Sequence, residues 1–252
     1  HAPLHRGKYP VGFDAGGVSA TLPQLCSRLA SLHFLQQSLG NIEKEVPGRY
    51  VAMQRGMVGG SDIGDDKARA WLDGLLDGAR QTLASCALKV ANYIAYKIVY
   101  WDLRGFFIQG LYRVGVTGGE RLTAVTSRLD AALWELAGHL PGPGGAVARD
   151  AVASSLLRAS VQGWLWVMLD GGPGRVFGAE DGDALEEDLS ALREVFLAGG
   201  EGIPAEEVEA AMLPADRLLS VMSLSTKIVC ENYADAEARD KTRGIRVGAA
   251  GE

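Results

Sequence analysis

The residues whose types and spacing could do chemistry lie first in Leu169–Pro204, LDGGPGRVFGAEDGDALEEDLSALREVFLAGGEGIP. Glycines there surround Arg175 and precede a run of acids. A phosphate cradle needs its glycines between strand and helix, or followed by Lys-Ser or Lys-Thr, so that backbone N–H groups converge on the anion. Here the glycines follow a helical pattern and the next helix opens with acids, which repel phosphate. The expectation is punctuation: Gly171 and Gly172 supply left-handed backbone at a helix end and Pro173 stops continuation. A calcium loop starting at Asp181 fails at its fifth position, Leu185. Asp181, Asp183, Glu186 and Glu187 are expected at a helix N-terminus, where the helix dipole favours negative charge.

The other chemical candidates fare similarly. Asp65-Asp66-Lys67-Ala68-Arg69 approximates the aspartate-rich magnesium motif of all-α terpenoid synthases, but Arg69 puts a cation where a ligand belongs. Asp65 and Asp66 read as a cap and a first-turn acid. His1, His5, His33 and His139 form no metal-ligand spacing. Cys26, Cys86 and Cys230 stand far apart and suit a reducing compartment. Cys26 and Cys86 fall on apolar faces and are expected to be inert. No Gly-x-Ser-x-Gly elbow is present. Trp164, Trp166 and Met168 are either core or groove lining. YWDLRGFFIQGLYRVGV (Tyr100 to Val116) mixes aromatics with Arg104 and Arg113. It reads as a helix-to-helix junction or a partner-binding surface, the surface set being Trp101, Arg104, Phe106, Phe107, Tyr112 and Arg113. Neither a metal nor an organic cofactor is implied.

These residues must be positioned by helices. Leu22, Leu25, Leu29, Leu32, Leu35, Leu39, Ile42 and Val46 recur at helical spacing, and Pro47-Gly48 is expected to end that helix. The longest helix runs from about Asp65 to Trp101, with Leu76, Ala87, Val90, Ile94 and Ile98 among its apolar face. The segment after it is helix or broken helix to about Tyr112. A third helix carries Leu122, Val125, Leu129, Leu133, Leu136 and Leu140. A fourth, about Ala146 to Leu169, is apolar nearly all round its second half and is expected to be surrounded. The fifth sets Leu185, Leu189, Leu192 and Phe196 against a polar face of Glu186, Glu187, Asp188, Arg193 and Glu194. A short sixth starts at Pro204 and a seventh ends near Tyr233. No window shows the alternation of a strand. The fold class is all-α, an elongated stacked helical bundle. Its expected divisions are a flexible lead-in at 1–20, a helical segment at 21–113, a C-terminal bundle at 114–233 and a disordered tail at 234–252.

Composition narrows the function. Hydrophobic residues make up 47% and charged residues 22%, as in a folded globular chain rather than a disordered one. A formal charge of −6 lacks the basic footprint that nucleic acid requires. The longest strongly apolar run, Val161 to Leu169, is about half of what a membrane helix needs. The chain starts at His1 rather than Met, so it is expected to be a piece of something longer.

Three segments in order resemble the C-terminal Munc homology region of plant Munc-like proteins, relatives of the UNC/Munc exocytosis factors. The first ends in Asp102, Leu103, Gly110, Leu111 and Tyr112. The second carries Ala159, Ser160, Gly163, Leu165, Val167, Leu169, Gly171, Gly172, Pro173, Arg175 and Phe177. The third carries Glu186, Glu187, Asp188, Leu192, Phe196, Gly200, Gly202 and Ile203. The helix at Pro23 to Val46 is similar to the one that precedes this region in plant members. The likeness covers roughly residues 21–233, and the homology region itself about 87–205; Arg104 and Phe106-Phe107 diverge from the family pattern. The resemblance implies an all-helical rod without catalysis that promotes vesicle tethering or priming. It also implies exocytic delivery of plasma-membrane proteins such as proton pumps. Its implied partners are SNARE proteins and tethering-complex subunits. Its implied location is cytoplasmic, with peripheral association to endosomes or the plasma membrane. A terpenoid-synthase-type enzyme and a scaffold unrelated to vesicles are the alternatives.

Overall fold

Two 35-residue helices, α1 (Leu22–Gly56) and α2 (Ile63–Lys97), pair side by side. Each is about 50 Å long at 1.5 Å per residue. The computed structural model describes residues 20–56, 63–171 and 174–242. The lead-in at 1–19, Gly172 and Pro173, and the tail beyond 242 lie outside them.

The apolar stripe of α1 has two fates. Leu22, Leu25, Cys26 and Leu29 are buried, whereas Leu35 and Ile42 are exposed, and Leu39 is half-buried. That lower half faces an open apolar groove shared with Gly78, Ala79, Thr82 and Leu83 of α2. The expected stop at Pro47-Gly48 does not occur: α1 continues to Gly56. A proline inside a helix removes one backbone hydrogen bond and crowds the preceding turn. Here pairing with α2 gives the helix a tertiary partner that outweighs that local preference.

α2 ends in a single π-helical turn, Ile98–Asp102, closed by the Leu103 N–H donating to the Ile98 carbonyl at 2.8 Å. The chain then runs through successive turns to Arg121, so the expected continuation as helix to Tyr112 stops at this point. Among the described residues there is no strand, only the isolated bridges Leu111–Glu120 and Arg113–Gly115. The remaining helices are α3 (Leu122–His139), α4 (Gly142–Asp170), α5 (Gly182–Leu197), α6 (Ala205–Met222) and α7 (Thr226–Thr242).

The fourth helix is the hub, as its all-round apolarity predicts. α4 touches α1, α2, α3 and α6, while α5 bridges α3 and α6. Val152, Leu156, Leu157, Trp164 and Val167 are fully enclosed. At Gly163 an added Cβ would sit 3.2 Å from Val99 Cγ1 and 3.3 Å from Ile108 Cδ1, so the glycine sets how closely α4 approaches the junction after α2. α5 buries Leu185, Leu189, Leu192 and Phe196, the face its spacing predicts. It ends on Ala198, a left-handed residue at φ 45°. Gly199 and Gly200 follow, also at positive φ. The Ile203 N–H folds back onto the Phe196 carbonyl at 2.8 Å. α6 continues through Pro214 for 18 residues, longer than the short helix expected from Pro204. α7 passes Tyr233 and ends at Thr242, so residues 234–242 are helical rather than disordered. Its alanines and long charged side chains are good helix formers, which a reading based on charge alone undervalues.

Candidate functional site

The three motif segments converge on one place, the turn region 103–121 between α2 and α3. Its centre is Asp188. The sequence puts this residue on the polar face of α5, but the structure buries it completely. The correction has a physical cause: partners far away in the chain satisfy the carboxylate. Tyr112 donates its hydroxyl to Asp188 Oδ2 at 2.6 Å, and the Leu122 N–H donates to the same oxygen at 3.1 Å. Arg121 Nε donates to Oδ1 at 3.0 Å, with Nη2 of the same guanidinium 2.9 Å from that oxygen. Asp188 therefore accepts the first free N–H of α3 as well as a cation, which is how a carboxylate becomes tolerable in a core.

The network extends outward from there. Arg121 Nη2 also donates to the Ala184 carbonyl at 2.6 Å and to Glu187 at 2.8 Å. These bonds to Glu187 and Asp188 hold the guanidinium charged, raising its pKa against the opposing effect of burial. Trp164 Nε1 donates to the Tyr112 oxygen at 3.2 Å, and Phe177 meets the Tyr112 ring edge-on at 5.7 Å. Burial first, then the Asp188 charge and hydrogen bond, pushes the Tyr112 phenol far above its usual range. Tyr112 is neutral and donates. It also sits at φ 56°, a left-handed conformation uncommon outside glycine, and its side-chain contacts with Asp188, Trp164 and Phe177 hold it there.

Arg175 forms a second clasp. Its Nε donates to Leu111 O at 2.8 Å, Nη1 to Gly171 O at 2.7 Å and Nη2 to Ile108 O at 2.8 Å. The end of α4 is thereby tied to the junction through backbone acceptors. Gly171 has an ordinary helical φ of −70°, so it does not supply left-handed backbone as its sequence context suggests. It is glycine because a Cβ would meet Arg175 Cδ at 2.6 Å and the Val167 carbonyl closer still. Gly110 is constrained likewise, its Cβ position lying 2.8 Å from two carbonyl oxygens. Gly200 needs its positive φ, and Gly202 lies too close to the Phe196 carbonyl for a side chain. Gly172 and Pro173 fall outside the described residues.

Of the six residues read as a partner surface, Phe107 and Tyr112 are fully buried and cannot meet a partner. Trp101 and Phe106 are exposed, and Arg128 of α3 lies over the Phe106 ring at 3.4 Å. Arg104 reaches the Gln109 side-chain oxygen at 3.2 Å when that amide is oriented to accept. Arg113 is exposed. Asp102 is held by Lys97 at 2.7 Å and steadies the π turn. Glu186 and Glu187 are exposed. Arg121, the cation that makes Asp188 possible, carries no sequence signal beyond its place before a helix. Of the aromatic trio on α4, Trp164 is core while Trp166 lines a small groove.

These contacts are structural in kind. Asp65 and Asp66 lie in the first turn of α2. Among the described residues no group of three His, Cys, Asp or Glu side chains could hold a metal ion, and no helix is long and apolar enough to cross a membrane.

Against known proteins, residues 14–249 match the family model described as PATROL1-like, TPR repeats. The chain belongs to this family. It is also 28% identical over 228 residues to the "Protein unc-13 homolog" of Arabidopsis thaliana, covering 87% of this chain and 20% of that protein. The chain thus spans about a fifth of the length of that relative. Membership of the PATROL1-like family fits the architecture, since repeat proteins pack helical hairpins whose residues serve neighbouring hairpins.

Proposed function

We propose that the protein is a non-enzymatic helical adaptor in vesicle traffic. It promotes tethering or priming, and through it the exocytic delivery of plasma-membrane proteins such as proton pumps. Its partners are SNARE proteins and tethering-complex subunits, met at the cytoplasmic face of endosomes or the plasma membrane. The observation that carries this reading is the family match over nearly the whole chain, together with the likeness to an unc-13 homolog. The site geometry supports it. Tyr112, Arg175 and Asp188 of the motifs spend their donors and acceptors on neighbouring segments of the fold, leaving contact through helix faces as the work available.

The contact surface we assign is the exposed side of the junction: Trp101, Arg104 and Phe106, with Arg128 stacked on Phe106. Exposed aromatics backed by arginine are the usual anchors of protein interfaces. The test is affinity recovery from plant membrane extracts with the wild-type chain and a Trp101→Ala/Phe106→Asp variant, probed for SNARE and tethering subunits. Wild type recovers them, and the variant recovers about tenfold less at an unchanged melting temperature. Recovery of neither class by the wild type would refute the adaptor reading. Equal recovery by the variant would move the surface elsewhere.

A further inference from the structure

A groove of about 530 Å³ opens between the junction and the C-terminal end of α4, lined by Ile108, Gln109, Arg113, Trp166, Gly171, Gly174 and Arg175. Two guanidiniums line it and no carboxylate does. Arg175 is fixed by its three carbonyl bonds, which use three of the five N–H groups a guanidinium carries. Arg113 is exposed, its backbone N–H donates to the Gly110 carbonyl at 3.3 Å, and its side chain makes no hydrogen bond or ion pair with any described residue. Its charge opposes that of Arg175, whose pKa is lowered first by burial and then by Arg113. A like-charged pair on a groove that no carboxylate lines, one member fixed by backbone carbonyls, is what an anion would neutralise.

Exposed aliphatics next to the groove residues in the chain point to which anion. Val114 is 74% exposed, Val176 77% and Leu169 70%. Two of them are the immediate chain neighbours of the groove arginines, and the third stands two residues before Gly171 on the last turn of α4, with Asp170 between. Single exposed aliphatics are ordinary, but three within two residues of the groove's own residues in the chain match the surface that lipid interfaces favour. We propose that this groove takes the phosphate of an anionic phospholipid headgroup, with Val114, Val176 and Leu169 entering the interfacial layer of the membrane. The net charge of −6 does not forbid this, because charges beyond about 8 Å are largely screened at physiological salt. The local arginines then dominate at contact. This site stands on its own geometry, independent of the adaptor's protein partners.

The experiment is flotation of the full chain with phosphatidylcholine vesicles, with and without phosphatidylserine and phosphatidylinositol bisphosphate. Soluble inositol trisphosphate is titrated in parallel. Binding is expected to the anionic vesicles only and to weaken as salt rises. Arg113→Glu should cut it about tenfold or more. The same change should leave the melting temperature equal or higher, because it removes a like charge beside Arg175. Val114→Asp and Val176→Asp should weaken vesicle binding while leaving the response to inositol trisphosphate intact. Three results would overturn the proposal: no flotation of the wild type with anionic vesicles, flotation of Arg113→Glu equal to wild type, or inositol trisphosphate binding without flotation. The last would assign the groove to a soluble phosphate. A failed flotation leaves recovery of SNARE and tethering subunits unaffected, so the two readings fail separately.

Discussion

Asp188 shows what a residue's type does and does not reveal. Next to Glu186 and Glu187 it looks like one more solvated acid, although three residues after Leu185 and four before Leu192 the helical period sets it at the edge of the buried face. Its burial depends on Tyr112 and Arg121, which lie 76 and 67 residues away. Such partners leave no trace in local spacing. The cysteines are more legible. Cys26, on an apolar face, is fully buried, and burial, with Glu135 second, pushes its thiol from 9.0 up to about 11. Tyr100 and Tyr112 are likewise held neutral by burial. A raised pKa on an acid favours its protonated form in the fold, so the unfolded chain binds fewer protons at alkaline pH and stability drops as pH rises. For Cys26 the stability is fully present below pH 9 and is lost between about 9 and 11, with the tyrosines adding to the loss above about 10. Denaturant melts between pH 8 and 11 should show that decline beginning near 9. In Cys26→Ala the first part should be blunted, and a flat profile would contradict the buried thiol.

Helix faces were the most readable elements, because burial against a neighbour imposes a 3.6-residue period on sequence. α5 illustrates this: Leu185, Leu189, Leu192 and Phe196 are all buried as their spacing requires. Leu189→Asp places an unpaired charge in that face and should cost at least about 3 kcal/mol, lowering the melting temperature by roughly 6 to 12 °C. A melting curve that does not move would mean the face is not packed in solution. Helix ends were less readable. Pro47 fails to stop α1, and α7 outlasts its last strongly apolar residue. In both cases a local rule competes with something it does not contain: pairing with α2 in the first, helix-forming charged residues in the second. The junction after α2 was legible as an interruption but not as a knot. Its turns are fixed by Arg175 reaching across from beyond α4, again a contact without periodicity.

At the scale of the molecule, the shared motifs tie together segments that helix packing alone would leave loosely joined. The π turn and junction of α2, the end of α4 and the first turns of α5 meet at Tyr112, Arg175 and Asp188. The fold class was therefore readable from patterns, while the reason for the motifs needed three-dimensional convergence. What remains free to act lies outside the knot, on Trp101, Phe106, Arg113 and their surroundings. The most direct test of this division of labour is a double-mutant cycle on Tyr112→Phe and Asp188→Asn, read by denaturant unfolding. Each change alone should destabilise by about 1–3 kcal/mol, since each leaves a buried group short of a partner. The pair should show a coupling of at least about 1 kcal/mol. Strict additivity, within about 0.3 kcal/mol, would mean that the two motifs do not hold each other and that their residues must be explained some other way.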